Sequence, residues 1–424
     1  MSEDWQLVHI LLKFHQKQNW KHQSLLKNNM RKFIFIFLIF QIYPSIFSQN
    51  IYVEDRKLYV DNTEYRVNGI CYARGEGNGE NSGFSYLDDI PLLVEANINT
   101  IRTYSAITNV AELNAFHNAG IKIIMSLNEN SYTWYVNQFK DHPAILMWEF
   151  GNEFNYHPEW FGNNIQNWYD KLEECAATVK SLDPNHPVST GHGEVPSQQA
   201  LNSCPSVDVW GMNVYRWTDS ASAIDDLAAI TDKAIYISEA GADSFDSNSG
   251  FENQQLQSAA TQVILNSILE KSDLSIGVTL FEFCDEWWKA GNPNQQDAGG
   301  FPNSIPYDSF ANEEYWGIVT RDRIPKQAFY TVQEIYEQAS LGFSSDYNNY
   351  KALTIYPNPV VDILHIKTPH QLGLIYITNI FGKMVYKNKG NITQINVSDF
   401  APGLYILKTI DKNDLEIRQK FIIK

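Results

Sequence analysis

Glu153 closes the apolar run ILMWEFGNE, and Glu239 closes the apolar run at the start of AIYISEAGA. A carboxylate is costly to bury unpaired, so a hydrophobic strand that ends in one is a strand whose end leaves the core. One such acid reads as a solvated strand end. Two of them, each after a hydrophobic strand, can divide the labour of splitting an acetal: one carboxyl protonates the departing oxygen, and the other attacks carbon or activates water. Further polar side chains end other β-rich runs: Arg102 and Tyr104 in NTIRTYSA, Asn152 beside Glu153, and His192 with Glu194 in PVSTGHGE. Asn213 and Tyr215 close VDVWGMNVY, and Asp285, Glu286, Trp287 and Trp288 close GVTLFEFCDEWW.

For these residues to meet, their strands must share one rim. Eight β-branched or aromatic runs recur along the chain: RVNGICYAR, NTIRTYSA, IKIIMSLNE, ILMWEFGNE, PVSTGHGE, VDVWGMNVY, AIYISEAGA and GVTLFEFCDEWW. Segments with apolar residues at helical spacing lie between them, at 87–96, 110–119, 160–182 and 251–271, and a last one at 325–338. Strand and helix alternating eight times predicts a (β/α)8 TIM barrel, whose reactive groups stand at the C-terminal strand ends. A doubly wound sheet is disfavoured, because RGEGNGE after the first strand lacks the Gly-x-Gly-x-x-Gly spacing and a helix behind it. Alternation around Asp61-Asn62 marks a short hairpin that would floor the barrel. By the same alternation Trp287 shares a face with Phe283 and Asp285, and Glu149 shares one with Glu153 but sits deeper, as a paired interior acid.

Across residues 51–340 the barrel resembles glycoside hydrolase clan A, the retaining glycosidases with acid/base and nucleophile on strands 4 and 7. WEFGNE is similar to the clan's strand-4 Asn-Glu motif and YISEAG to its strand-7 motif. The resemblance implies Glu153 as acid/base, Asn152 as the group holding the sugar 2-hydroxyl, and Glu239 as nucleophile. It implies further that Arg102 and Tyr215 donate to Glu239 and that Trp287 is the tryptophan on which a sugar stacks. Tyr104 and His192 complete the expected substrate-binding set, although His192 is equally suited to capping a loop. Glu129 and Asp285 are candidate sugar-hydroxyl ligands. In a retaining enzyme the carboxyls stand about 5–5.5 Å apart, so an ionised Glu239 would keep Glu153 protonated. The stretches FEFCDEWWKAGNP and EEYWGIVTRDRIPKQAFYTVQEIY look like the close of the family 2 barrel. Family 2 enzymes usually carry β-sandwich domains before the barrel and here only a hairpin precedes it, so the chain looks more like a stand-alone β-glucanase or β-mannanase barrel. The expected substrate is a β-linked polysaccharide, β-1,3-glucan first, with mannan and galactan behind it. Transglycosylation uses the same residues, and a non-catalytic glycan-binding protein on a barrel scaffold is the alternative of another class.

Among the 424 residues the formal charge of −17 argues against a nucleic-acid partner, since phosphate binding rests on Lys and Arg density. Residues 30–48, with two cations and a short apolar run, read as a secretory signal peptide, and 1–29 as an extension before the true start. The catalytic domain is assigned to 49–341 and a small polar linker to 342–350. A small all-β sandwich follows at 351–424. Its YPNPVVDILHI, YITNIFGKMVY, SDFAPGLYILK and RQKFIIK resemble the sorting domain of the type IX secretion system, which implies a Gram-negative cell surface or medium and the secretion machinery as partner. No metal or cofactor is expected, and a monomer is. Cys71, Cys175, Cys204 and Cys284 lack metal-ligand spacing; Cys71 and Cys284 are placed either to pair or to remain buried thiols.

Overall fold

Strands buried on both faces are largely apolar, as most of the eight runs are, with the polar exceptions left to one another's hydrogen bonds inside a closed parallel barrel. The structure, a computed structural model, describes residues 49–73, 83–303, 307–340, 354–368, 372–379, 383–411 and 416–424. Residues 1–29, the signal segment 30–48 and the linker 342–350 lie outside them. A meander of β1 (Ile51–Glu54), β2 (Lys57–Val60) and β3 (Thr63–Glu64) comes first, its second turn at Asp61 and Asn62 with φ of 51° and 65°. The barrel follows: β4 (Val67–Tyr72), β5 (Thr100–Thr103), β6 (Lys122–Leu127), β7 (Ile145–Asn152), β8 (Val188–Gly193), β9 (Val209–Asn213) and β10 (Ala234–Ala240). After a ribbon of β11 (Phe245–Asp246) and β12 (Phe251–Glu252), β13 (Gly277–Leu280) pairs with both β10 and β4 and closes the ring.

A helix follows each barrel strand, several opened by a side-chain cap: Ser85 with Asp88 as a capping box, then Asn109, Asn164, Ser197 and Asn253. Two helices are shorter than periodicity predicts. Helix Ile165–Leu182 begins late because Gly162 and Asn163 take left-handed φ of 68° and 59° after two 3-10 turns, Phe154–Tyr156 and Pro158–Phe161. Helix Gln254–Leu269 begins late because Phe251 and Glu252 are spent in the β11–β12 ribbon. The eighth strand also stops early, at Leu280, and Cys284 touches Val319 only through an isolated bridge.

Strand alternation splits the barrel's apolar side chains into two clusters. One packs the outer strand faces against the helices, with Trp148, Phe150, Trp168 and Trp210 among its largest members. The other plugs the N-terminal end, where Ile51 and Leu58 of the meander meet Ile124, Leu146, Met147 and Tyr236. Each such buried side chain is worth about 1.5–3 kcal/mol, so the meander is a fixed floor. The last barrel helix, Gln327–Ser340, returns to that same end, where Ser340 Oγ accepts from Asn68 Nδ2 at 3.2 Å. Beyond the linker, antiparallel sheets of three and four strands enclose a separate core that includes Leu364, Ile375, Leu407 and Phe421.

Candidate active site

Alternation by itself would not bring Asn152 and Glu239 into one cavity. On β7 Glu149 faces the barrel interior and Phe150 the helix layer, so Gly151 would point inward next and Asn152 outward. The pairing with β8 slips at this point: Phe150 lies opposite Thr190, but Asn152 lies opposite Gly191. Gly151 is the extra residue of a bulge, with φ of 71°, and a Cβ on it would stand 2.6 Å from the Trp168 ring. The bulge returns Asn152 to the interior. Glu153 follows in left-handed backbone, φ 57° and ψ 22°, its N–H donating to Gly191 O at 2.8 Å. A second bulge does the same on β10, where Ile237 faces Met212 and Glu239 faces Asn213, leaving Ser238 over.

Glu239 is held by three donors. Arg102 Nη1 donates to Oε1 at 2.8 Å, Tyr104 OH to Oε1 at 2.7 Å, and Tyr215 OH to Oε2 at 3.0 Å. Charge-assisted bonds of this kind are strong and fix both carboxyl oxygens in place. Arg102 also ties the interior together, with Nε donating to Glu149 Oε1 at 2.6 Å and Nη2 to Asn152 Oδ1 at 2.8 Å. The other Glu149 oxygen accepts from Ser189 Oγ at 3.0 Å and from Tyr236 OH. Gly191 is required beside this network, because a Cβ there would collide with Arg102 Nη2.

Glu153 is treated differently. Asn213 Nδ2 donates to its Oε1 at 3.2 Å and also to Asn152 Oδ1 at 3.1 Å, and Ser238 Oγ fixes the Asn213 amide by donating to Oδ1 at 2.7 Å. One guanidinium cannot neutralise three carboxyls in a low-dielectric cavity, and Glu153 makes no direct bond to Arg102. Burial, and then the charge of Glu239, push the Glu153 carboxyl up to about 7. The cavity therefore holds two carboxyls in opposed environments, one clamped by a cation and two phenols, the other with a proton to give near neutral pH.

Of the residues singled out in the sequence, Asn152, Arg102, Tyr104 and Tyr215 gather with Glu153 and Glu239. Tyr104, expected against substrate, spends its hydroxyl on Glu239 instead. His192 points away: Ser189 and Gly191 take the inward positions of β8, and alternation turns His192 outward, between Tyr169 and Trp210. Its Nδ1 lies 3.0 Å from Glu194 O and its Nε2 3.4 Å from Tyr169 OH, which is the loop-capping role. Trp287 is not the aromatic beside the pair either. β13 ends at Leu280, so alternation cannot be counted out to residue 287, and the Trp287 ring lies under the Arg321 guanidinium, 4.6 Å away. Phe281 and Trp316 take that place, with ring centroids 6.2 and 5.4 Å from Tyr215. Asp285 is consumed by Lys326 Nζ at 2.6 Å and Gly317 N–H at 2.9 Å. All four cysteines are buried free thiols. Asn213 is the partner that sequence reading named as a strand end but did not carry into the site; its place opposite Glu239 depends on the β10 bulge.

Residues 90–341 match the family described as glycosyl hydrolases family 2, TIM barrel domain, and residues 354–424 match the secretion system C-terminal sorting domain. Among curated proteins, mannan endo-1,4-beta-mannosidase F of Aspergillus clavatus is 38% identical over 88 residues, 19% of each chain. Putative mannan endo-1,4-beta-mannosidase 9 of Oryza sativa subsp. japonica is 30% identical over 135 residues, 24% of this chain and 32% of that one. The alignments thus span only a minor part of these relatives. Among solved structures, the GH2 beta-galacturonidase of Eisenbergiella tayi bound to galacturonate superposes with a TM-score of 0.53 at 18% identity, covering 68% of this chain and 54% of that one. A beta-glucuronidase of Bacteroides uniformis gives 0.55 at 14% identity, covering 89% and 48%. At such identities the likeness is one of fold.

Proposed function

For a chain that belongs to the glycosyl hydrolases family 2 TIM barrel family, we propose a retaining β-glycosidase that cleaves a β-linked polysaccharide outside the cell. The observation that carries it is the contrast between the clamped Glu239 and the proton-retaining Glu153 on strands 7 and 4. In the first step a Glu239 oxygen attacks the anomeric carbon, the bond from that carbon to the leaving oxygen breaks, and the Glu153 proton passes to that oxygen. In the second, Glu153, now a carboxylate, takes a proton from water, whose oxygen displaces Glu239. A sugar hydroxyl in place of water gives transglycosylation. Asn152, its Oδ1 occupied by Arg102 and Asn213, turns its amide nitrogen toward a sugar hydroxyl. Arg102, Tyr104 and Tyr215 hold Glu239 and aim it.

The names of the curated relatives favour β-1,4-mannan, and the expectation from the sequence was β-1,3-glucan. Product analysis on laminarin and mannan decides between them. Glu239→Ala is expected to abolish reducing-sugar release, and the first product seen by NMR to keep the β configuration. An α-configured first product, or full activity in Glu239→Ala, sinks the proposal. The C-terminal domain is a secretion sorting domain, and residues 30–48 supply the export signal in this reading.

A further inference from the structure

We propose that the segment directly after Glu153 is a sugar platform on the leaving-group side, in which Tyr156 and the stacked His157–Trp160 pair bind the glycosyl unit that departs. This rests on reading Glu153 as the acid/base. A general acid delivers its proton to the departing oxygen, so the leaving group lies against Glu153 on the side away from Glu239. Tyr156 and His157 stand directly after Glu153: the Tyr156 N–H donates to Glu153 O at 2.9 Å, and burial, then the charge of Glu153, push the Tyr156 hydroxyl up to about 12. The Tyr156 ring lies over Gly193 where any side chain would collide with it.

Two observations set this segment apart from scattered surface aromatics. Tyr156 is 52% exposed and Trp160 58% exposed, within five residues of each other and immediately after a buried strand. Trp160 is also held flat: its ring lies parallel to His157, with centroids 4.0 Å apart and 8° between the planes, while the residue stays largely exposed. The support beneath is rigid. Phe154 packs edge-on against Trp160 and Trp168 at 5.4 and 4.8 Å, and Asn155 exchanges two hydrogen bonds with the Gly193 backbone, at 3.0 and 2.8 Å. Flat aromatic faces bind the C–H faces of sugar rings, and a pre-organised face loses little entropy in doing so. The leaving group is accordingly a sugar of a β-linked oligosaccharide rather than a small alcohol.

The test compares kcat/KM on an oligosaccharide of the cleaved polymer with kcat/KM on the aryl β-glycoside of the same sugar. For Trp160→Ala and for Tyr156→Ala the ratio is expected to fall about tenfold, mostly through KM, with Trp160→Phe keeping most of it. Calorimetry of the same oligosaccharide on Glu239→Ala protein is expected to show weaker binding when Trp160→Ala is added. Ratios within twofold of the parent enzyme for both alanine variants overturn the platform. A parent enzyme that cleaves neither substrate, or a fully active Glu239→Ala, overturns instead the reading of the pair on which the platform depends.

Discussion

Glu153 carries its raised pKa as both an activity and a liability. Cleavage needs its protonated form, so kcat/KM is expected to fall above about pH 7, and a profile flat to pH 9 would contradict its role as acid. Stability runs the other way from the common carboxylate case. Below the ordinary value of 4.5 the group is protonated folded or unfolded and contributes nothing; above about 7 the folded protein bears a poorly solvated anion beside Glu239. The rise from 4.5 to about 7 corresponds to a penalty of up to about 3 kcal/mol. Glu153→Gln is therefore expected to melt higher than the parent at pH 8 and with it at pH 4. At this scale the sequence was most legible, because Glu153, Glu239, Arg102 and Tyr215 sit at strand ends that periodicity could count. Tyr104 was named without its partner, since nothing in its spacing says that a phenol two residues beyond Arg102 reaches a carboxylate on β10.

The eight strands were countable because each is a short β-branched run between helical patterns. The bulges at Gly151 and Ser238 were not, because a bulge is a mismatch between two strands and neither run announces it alone. They decide which side chains enter the cavity. Of the two roles open to His192, capping holds for a related reason: on unbulged β8 strict alternation turns it outward. Trp287 failed because alternation was carried past the end of β13. Gly191 offers an element-scale check. A methyl there would displace the Arg102 guanidinium and strip Glu149, Asn152 and Glu239 of a shared donor. Charged hydrogen bonds are worth about 1.5–3 kcal/mol, so Gly191→Ala is expected to lower kcat on the order of tenfold to a hundredfold, read on an aryl glycoside, together with a lower melting temperature. Unchanged kcat would show that Arg102 can relax without cost.

The barrel and the C-terminal sheets bury separate cores, with Phe329 and Tyr336 in the first and Phe421 and Ile423 in the second. Removing residues 342–424 is therefore expected to leave the barrel's melting transition and kcat/KM within twofold of the full chain while abolishing export, read as enzyme retained inside the producing cell. Two domains were legible from the polar linker and the change from alternating elements to strands alone; their packing was not, since it lies in contacts between residues far apart in sequence. The floor bears on how such an enzyme works when it is tethered. The chain enters the barrel at Ile51, bonded to Asn185 O at 3.0 Å just ahead of β8, and leaves it at Ser340, beside Asn68 at the start of β4. Both points of attachment lie at the plugged end. A tether joined to the barrel at Ser340 would therefore be attached at the end opposite Glu153 and Glu239, and its length would set how far the mouth can reach.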